Sequence, residues 1–428
     1  MNHSTHVFFQ LLRYVLGTGG TLPKLSLDEW ERVFRVSSDQ TIEGLISLVF
    51  NPLWEAKGQA AKAEMASTFL DIKQPQDVAL FLEMLANFQS NVIAIVKTNL
   101  MVNDRVERTF RFFRGAGIEC CLLKGQGNAL MYPHPDHRTS GDIDLWVRWG
   151  KEVPEEVRKA VARTRGRRKG DESIRELIRF VQRVYPRKHA YYHHVEAPDM
   201  RGTAVEMHYR PQFLHCFFYN RRLQKFFFEH ADAQFAHVVP FGQGKGIVVP
   251  TLDFNVVLQL SHIYKHLLFE GIGLRQIVDF FYLMRALDED EPREGKKERW
   301  TPRLKYLGMR KLCGALMWIL EDVLGMDEAW AITAKDEKRG RLVLNEIIQG
   351  GNFGQKDRRL FGQEWRKTDE DHETGADSLA GRFRIRRNLQ RFYRDFRMVR
   401  AFPSESLSEP AFRFWHAVWC YRHNGKRA

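Results

Sequence analysis

The chain has 428 residues, of which 44% are hydrophobic and 28% are charged. This balance excludes fibrous and disordered classes and predicts a globular protein of two or three domains. The net charge of +13 favours an anionic partner such as a nucleotide, a nucleic acid or an acidic surface, although a solvated surface rich in arginine would give the same excess.

The cysteines and the N-terminal residues give expectations about the compartment of the protein. The five cysteines show neither metal-ligand spacing nor a disulfide framework, which predicts a reducing cytoplasm. The N-terminus lacks a basic region and a cleavage site, so we expect no signal peptide. No apolar run approaches the roughly 20 residues of a membrane span, and we expect none.

Residues 1–115 form the first of four predicted regions, a helical N-terminal region. Apolar residues recur at helical spacing from residue 8 onward, and Asp77–Phe113 predicts one long helix or two. Gly115 and Gly117 end this run. Core packing explains the pattern, and no chemistry is indicated here.

The second region, residues 116–250, changes period and predicts strands. The region contains four strand candidates, two predicted helices at 153–163 and 173–184, and a basic segment at 158–169. The predicted strands are Ile118–Leu123, Asp142–Val147, Lys188–Val195 and Thr203–Tyr209. The region therefore predicts a small sheet with helices.

Carboxylates lie on two of these strands. Because side chains alternate along a strand, Asp142 and Asp144 share one face, while Ile143, Leu145 and Val147 point to a core. On a later strand, Glu206 and His208 share the polar face, opposite Val205, Met207 and Tyr209. Two adjacent acids suit a hard divalent cation such as Mg²⁺. The alternative is an acidic solvent face on an edge strand.

Residues 251–350 form a predicted helical domain, and residues 351–428 a polar linker followed by basic, aromatic helices. His262 and His266 lie one turn apart, but no glutamate follows the first as in a zinc protease, so polar packing is favoured. Arg275 and Asp279 also lie one turn apart, as an ion pair would. The basic amphipathic stretch Arg382–Arg400 suits docking on the protein itself, on RNA or on a membrane surface.

Three motifs come in a fixed order. They are Lys124-Gly125-Gln126-Gly127 after the first strand, Arg138-x-Ser140-x-Asp142-x-Asp144, and Glu206-x-His208. In this order they resemble the polymerase-beta-like nucleotidyltransferase superfamily. Within it the chain is similar to an uncharacterised bacterial nucleotidyltransferase family and to the nucleotidyltransferase toxins of abortive-infection systems. The resemblance covers roughly residues 116–285. It implies an α+β fold, with a small mixed sheet and helices, flanked by N- and C-terminal helical regions.

The resemblance also implies an activity and a site. An NTP such as ATP would give its NMP to an acceptor hydroxyl with release of pyrophosphate, and two Mg²⁺ ions, or Mn²⁺, would assist. Asp142, Asp144 and Glu206 would hold the metals and carry catalysis. The implied nucleotide-binding residues are Lys124, Gly125, Gln126, Gly127, Arg138, Ser140 and Lys265. The sequence departs from the superfamily at Gln126, where most members have serine, and at Glu206, where relatives often have aspartate.

The acceptor stays open among RNA such as tRNA, a protein and a small-molecule hydroxyl. An alternative function from another class is a non-catalytic, basic RNA- or partner-binding protein whose acidic residues are incidental. A third alternative is attachment to a membrane surface through Arg382–Arg400.

Overall fold

The structure is a computed structural model. It describes residues 3–150, 155, 159, 168–185, 189–197, 199–242, 246–352 and 391–424. Most of the predicted helix over 153–163, of the basic segment at 158–169 and of the polar linker from 351 lies outside the described residues. The same holds for the first part of the stretch 382–400, of which residues 391–398 are described and helical.

A four-stranded mixed sheet carries the strands that the sequence predicts. They are β1 (Ile118–Leu122), β2 (Ile143–Trp149), β3 (His194–Glu196) and β4 (Val205–His208), in the spatial order β1-β2-β4-β3. β2 pairs with β1 antiparallel and with β4 parallel, and β3 pairs with β4 antiparallel. Two short strands, β5 (Val238–Val239) and β6 (Ile247–Val248), form a separate pair. The predicted α+β fold with a small mixed sheet is confirmed.

The strand bounds differ from the predicted ones by a few residues. β2 begins at Ile143, so Asp142 precedes the strand, and β3 begins at His194 rather than at residue 188. Hydrophobic alternation shows which residues suit a strand, whereas the hydrogen bonds to neighbouring strands decide where pairing begins.

Helices precede and follow the strands of the sheet along the chain. The run predicted from Asp77 forms one continuous helix. The α-helices are His3–Leu16, Leu27–Asp39, Glu43–Ser47, Asn51–Glu55, Gln59–Phe69, Asp77–Gly115, Gln126–Ala129, Arg168–Val184, Phe217–Glu229, Ala231–Ala236, Leu252–Phe269, Leu274–Asp290, Lys296–Tyr306, Arg310–Trp318, Glu337–Gly350 and Pro403–Asn424. Gly117 follows the long helix with a φ of 76°, a conformation that glycine adopts without strain.

Among the described residues, the helix Asp77–Gly115 is long and apolar enough to cross a membrane. Its most apolar window has a mean hydropathy of 1.5, and 22% of that window is buried. Length and composition alone are weak evidence for a span, since core helices of soluble proteins have the same properties.

The chain folds into two compact units that are each discontinuous in sequence. A helical unit contains Met1–Val96, His137–Thr139 and Ile263–Leu407, and a sheet unit contains Lys97–Asp136, Ser140–His262 and Ser408–Ala428. The four consecutive regions predicted from the sequence stay a prediction.

The helical unit has an aromatic core around Trp30. The ring of Trp30 lies 5.1 Å from that of Phe50 and 5.7 Å from that of Phe81, and its indole N–H donates a hydrogen bond to the carbonyl of Phe69. Aromatic rings bury much apolar area for few ordered torsions. This cluster therefore explains the apolar periodicity of the N-terminal region as core packing.

The sheet unit has its core on one face of the sheet. Ile143, Leu145 and Val147 of β2 are buried there beside Met207 of β4 and the helix Arg168–Val184. The predicted alternation along both strands is therefore confirmed. Because successive side chains point to opposite faces, the acids of β2 and β4 lie together on the other face.

Candidate active site

The parallel pairing of β2 and β4 builds the site. In this register Asp144 is the partner of Glu206, and Trp146 is the partner of His208. The antiparallel pairing of β3 adds His194 as the partner of His208. Partners in register project from the same face. Residues that are distant in the chain thus meet on one polar surface.

His208 lies between the two carboxylates. Its Nε2 is 3.0 Å from Oδ1 of Asp144 and 3.1 Å from Oε2 of Glu206. The imidazole is fully buried. The sequence placed His208 on the same polar face as Glu206, and the structure places its ring within hydrogen-bonding distance of both acids. The signal for this was the two-residue spacing in Glu206-x-His208.

Lys124 completes the cluster from the end of β1. The backbone N–H of Leu123 donates to the carbonyl of Asp144, which extends the contact of β1 with β2 by one residue. The ammonium Nζ of Lys124 then lies 2.9 Å from Oδ1 of Asp144. Two cationic or basic side chains therefore contact the same carboxylate.

These contacts shift the pKa values of Asp144, Glu206, Lys124 and His208. Burial alone would raise the pKa of Asp144 and Glu206, but Lys124 and His208 outweigh it at Asp144, and His208 and His194 outweigh it at Glu206, so both pKa values fall below normal. Burial alone would lower the pKa of Lys124 and His208, but the two acids raise both. At neutral pH both acids are therefore ionised, and the ammonium of Lys124 contacts the carboxylate of Asp144.

The glycine turn after β1 is held by backbone and side-chain contacts. Gly125 has a φ of 57°, which favours glycine, and an added Cβ would lie 3.3 Å from the carbonyl of Asp142. The buried amide of Gln126 donates to Oδ1 of Asn103 at 2.6 Å and to Oδ1 of Asn99 at 3.2 Å. The side chain that replaces the usual serine thus packs the turn against the long helix. The phosphate-binding role of Gly125, Gln126 and Gly127 stays a prediction.

The other predicted site residues lie in different surroundings. Asp142 is exposed and Ser140 half-buried, both in the loop before β2. Arg138 and Lys265 belong to the helical unit. There the guanidinium of Arg138 donates to both carboxylate oxygens of Asp279, at 2.7 and 2.8 Å. The predicted metal-binding and catalytic role of Asp142 stays a prediction, and so do the predicted nucleotide-binding roles of Ser140, Arg138 and Lys265.

Asp144, Glu206 and His208 are arranged as metal ligands could be. Each offers one ligand atom, and these atoms lie within 4.8 Å of one another. Carboxylate oxygens are the ligands that Mg²⁺ prefers, and an added imidazole also suits Mn²⁺. The carboxylate oxygens of Asp144 and Glu206 therefore fit the divalent cation that the sequence predicts, and His208 lies beside them as a residue that the prediction lacked.

A small mixed sheet with carboxylates on one face, preceded and followed by helices, is consistent with a nucleotidyltransferase domain. Residues 63–325 match a family model described as an uncharacterised nucleotidyltransferase. Because the match covers more than half of the 428 residues, the chain belongs to this nucleotidyltransferase family. It begins earlier and ends later than the predicted range 116–285. No curated protein and no solved structure matches the chain. The similarity to abortive-infection toxins stays a prediction.

Proposed function

We propose that the protein transfers an NMP from an NTP to an acceptor hydroxyl, with release of pyrophosphate. Membership of a nucleotidyltransferase family implies an NTP substrate. The observation that carries the proposal is the pairing of Asp144 with Glu206 across parallel strands, with Lys124 at 2.9 Å from Asp144. This arrangement supplies both cation ligands and a positive charge for phosphate.

Asp142, Asp144 and Glu206 would hold two Mg²⁺ ions, or Mn²⁺, in this reaction. Such ions neutralise the attacking and leaving oxygens of an in-line displacement. The lowered pKa of Glu206 favours a ligand role over a general-base role, because a base works best with a pKa near the working pH. The acids are thus ready to bind a cation without first losing a proton.

Lys124 would pair with phosphate instead of Asp144 when the carboxylates hold a cation. Its ammonium neutralises Asp144 in the protein alone. A divalent ion on Asp144 would take over that neutralisation and leave Lys124 to pair with phosphate oxygens of the NTP. Lys124 would then stabilise the charge that builds up on the leaving pyrophosphate.

A basic, aromatic cavity in the sheet unit favours RNA among the open acceptor classes. It measures about 650 Å³. Its lining includes Arg175, Arg179, Arg422, Trp415 and Trp419. Aromatic rings stack with bases, and arginines pair with the backbone phosphates of single strands. The same surface would serve the alternative function, RNA binding without catalysis, so the test must separate the two.

The deciding experiment uses the four NTPs labelled at the α-phosphate, with Mg²⁺ and total RNA or cell lysate. We expect the wild type to incorporate label, and Asp142→Ala/Asp144→Ala to incorporate none. Glu119→Gln is the matched control, because Glu119 is a half-exposed carboxylate on β1 that pairs with Arg148. Incorporation should survive in this control.

The NTP whose label is incorporated identifies the nucleotide, and the molecule that carries the label identifies the acceptor. Equal incorporation by the wild type and the double variant would overturn the proposal. The absence of metal-dependent NTP binding in the wild type would also overturn it. In that case, RNA binding that the double substitution leaves unchanged would support the non-catalytic alternative.

A further inference from the structure

We propose that His193, His194 and His208 bind one first-row transition-metal ion of the Zn²⁺ type. This site goes beyond the proposed transfer reaction, which uses carboxylates and Mg²⁺. It lies on the polar face of the sheet where β3 pairs with β4. The ligand class is a divalent cation that prefers imidazole nitrogen.

The three imidazoles are close enough to share an ion. Each offers one ring nitrogen, and the three nitrogens lie within 4.8 Å of one another. Nε2 of His193 is 2.9 Å from Nδ1 of His194. Nitrogens bound to a tetrahedral zinc ion at about 2.0–2.1 Å are roughly 3.3 Å apart. Small rotations of the rings would therefore bring the three nitrogens to that spacing.

Two of the rings contact carboxylates through Nε2, which leaves Nδ1 of each ring for the ion. His208 points Nε2 to Asp144 and Glu206, and His194 places Nε2 3.6 Å from Oε1 of Glu206. A histidine that binds zinc commonly donates its second ring N–H to a carboxylate, which orients the ring. Asp144 and Glu206 are placed to play that orienting part.

An unpaired buried nitrogen supports the assignment independently. Nδ1 of His208 is buried and has no hydrogen-bond partner in the part of the chain that the structure describes. A buried polar atom without a partner costs about 1–3 kcal/mol. Coordination to a metal ion would give this nitrogen a partner and offset that cost.

Ligand chemistry separates this ion from the Mg²⁺ of the transfer reaction. Mg²⁺ prefers oxygen ligands and keeps several of its waters, whereas zinc-type ions accept imidazole. An ion bound to His208 would fix the N–H that faces Asp144 and Glu206. The histidine site would therefore position the two carboxylates without touching the substrate.

The test uses metal-stripped, full-length protein titrated with Co²⁺ in excess Mg²⁺. Co²⁺ is the probe because its visible absorption reports a nitrogen-bound, low-coordinate site. We expect one equivalent to bind, and His193→Ala and His194→Ala each to weaken binding by about 100-fold or more. Two controls, His189→Ala in the exposed segment before β3 and Asp142→Ala, should keep Co²⁺ binding.

X-ray absorption on the Zn²⁺-loaded wild type identifies the ligands without a variant. Its result therefore does not depend on whether a histidine variant folds. About three imidazole ligands in its spectrum would support the site. A spectrum without imidazole scattering would overturn it. Co²⁺ binding that survives both histidine substitutions but disappears in Asp142→Ala/Asp144→Ala would also overturn it. Label incorporation with Mg²⁺ is measured separately, so either proposal can fail alone.

Discussion

Asp144 and Glu206 are partners across the parallel strands β2 and β4, and a single nitrogen of His208 lies within 3.1 Å of both carboxylates. Asp144 is buried and Glu206 is partly exposed, and two acids that contact the same nitrogen repel each other unless positive charge lies nearby. The ammonium of Lys124 supplies such charge in the protein itself, and the two acids raise the pKa of His208. A divalent cation would therefore bind where a positive side chain already contacts one of the acids.

Substitution of Asp144 should abolish transfer while the fold is kept. Asp144→Asn retains the size of the side chain but removes a charged ligand, so we expect incorporation of α-labelled NTP to fall by about 10³-fold or more. Circular dichroism checks that the variant is folded. Glu119→Gln, made on β1, should retain activity within about twofold. Normal activity in Asp144→Asn would contradict the assignment of the site.

Removal of the Lys124 charge should change cation and nucleotide binding in opposite directions. Without the ammonium that competes for Asp144, Lys124→Met should bind Mg²⁺ or Mn²⁺ more tightly, by about tenfold in Kd. The same variant should bind NTP more weakly by a similar factor, which is about 1.4 kcal/mol. Calorimetric titration of Mn²⁺, and then of NTP in saturating Mn²⁺, measures both. A parallel loss of both affinities would contradict this account of Lys124.

The buried pair of Arg138 and Asp279 predicts a stability effect. Arg138→Met leaves the Asp279 carboxylate, 6% exposed, without its bidentate partner, and should lower the free energy of unfolding by about 3–5 kcal/mol. Arg138→Met/Asp279→Leu should recover part of that loss, because it removes both buried charges. Chemical denaturation measures the three proteins. Normal stability of Arg138→Met together with lost NTP affinity would instead support the predicted nucleotide-binding role.

The ionised carboxylate of Asp288 stabilises the helical unit, and this stability should be lost at acid pH. Its carboxylate pairs with the buried ammonium of Lys296 at 2.6 Å and with Arg293 at 2.7 Å. Burial alone would raise the pKa of Asp288, but hydrogen bonds from these two partners lower it below its normal value. A lowered pKa in the folded state gives stability that is present above the unfolded pKa, about 3.9. That stability is lost as the pH falls through the folded pKa.

The comparison with Asp288→Asn tests this pH dependence. At pH 7 the variant leaves Lys296 buried without a charged partner, and we expect a loss of about 3–5 kcal/mol in the free energy of unfolding. The difference between wild type and variant should shrink as the pH falls below about 4. Glu289→Gln, which changes an exposed neighbour on the same helix, should show little difference at any pH. A constant gap across this range for Asp288→Asn would contradict the assignment.

Much of the local structure could be predicted from the sequence. Alternation along β2 and β4 showed which residues face the core and which carry acids, because a strand repeats every two residues. Helical spacing likewise predicted one long helix or two from Asp77, and the ordered motifs resembled those of a nucleotidyltransferase. These features depend on neighbours in the chain, so the sequence contains them directly.

The assembly of the site could not be read in the same way. The meeting of Asp144 with Glu206, the position of His208 between them and the pair of Arg138 with Asp279 all join residues far apart in the chain. Strand register and helix packing decide such contacts, and many pairings are compatible with one local pattern. The sequence by itself thus determined the residue types and the faces on which they lie. Only the tertiary structure decided which of them meet, because each such contact depends on non-local packing.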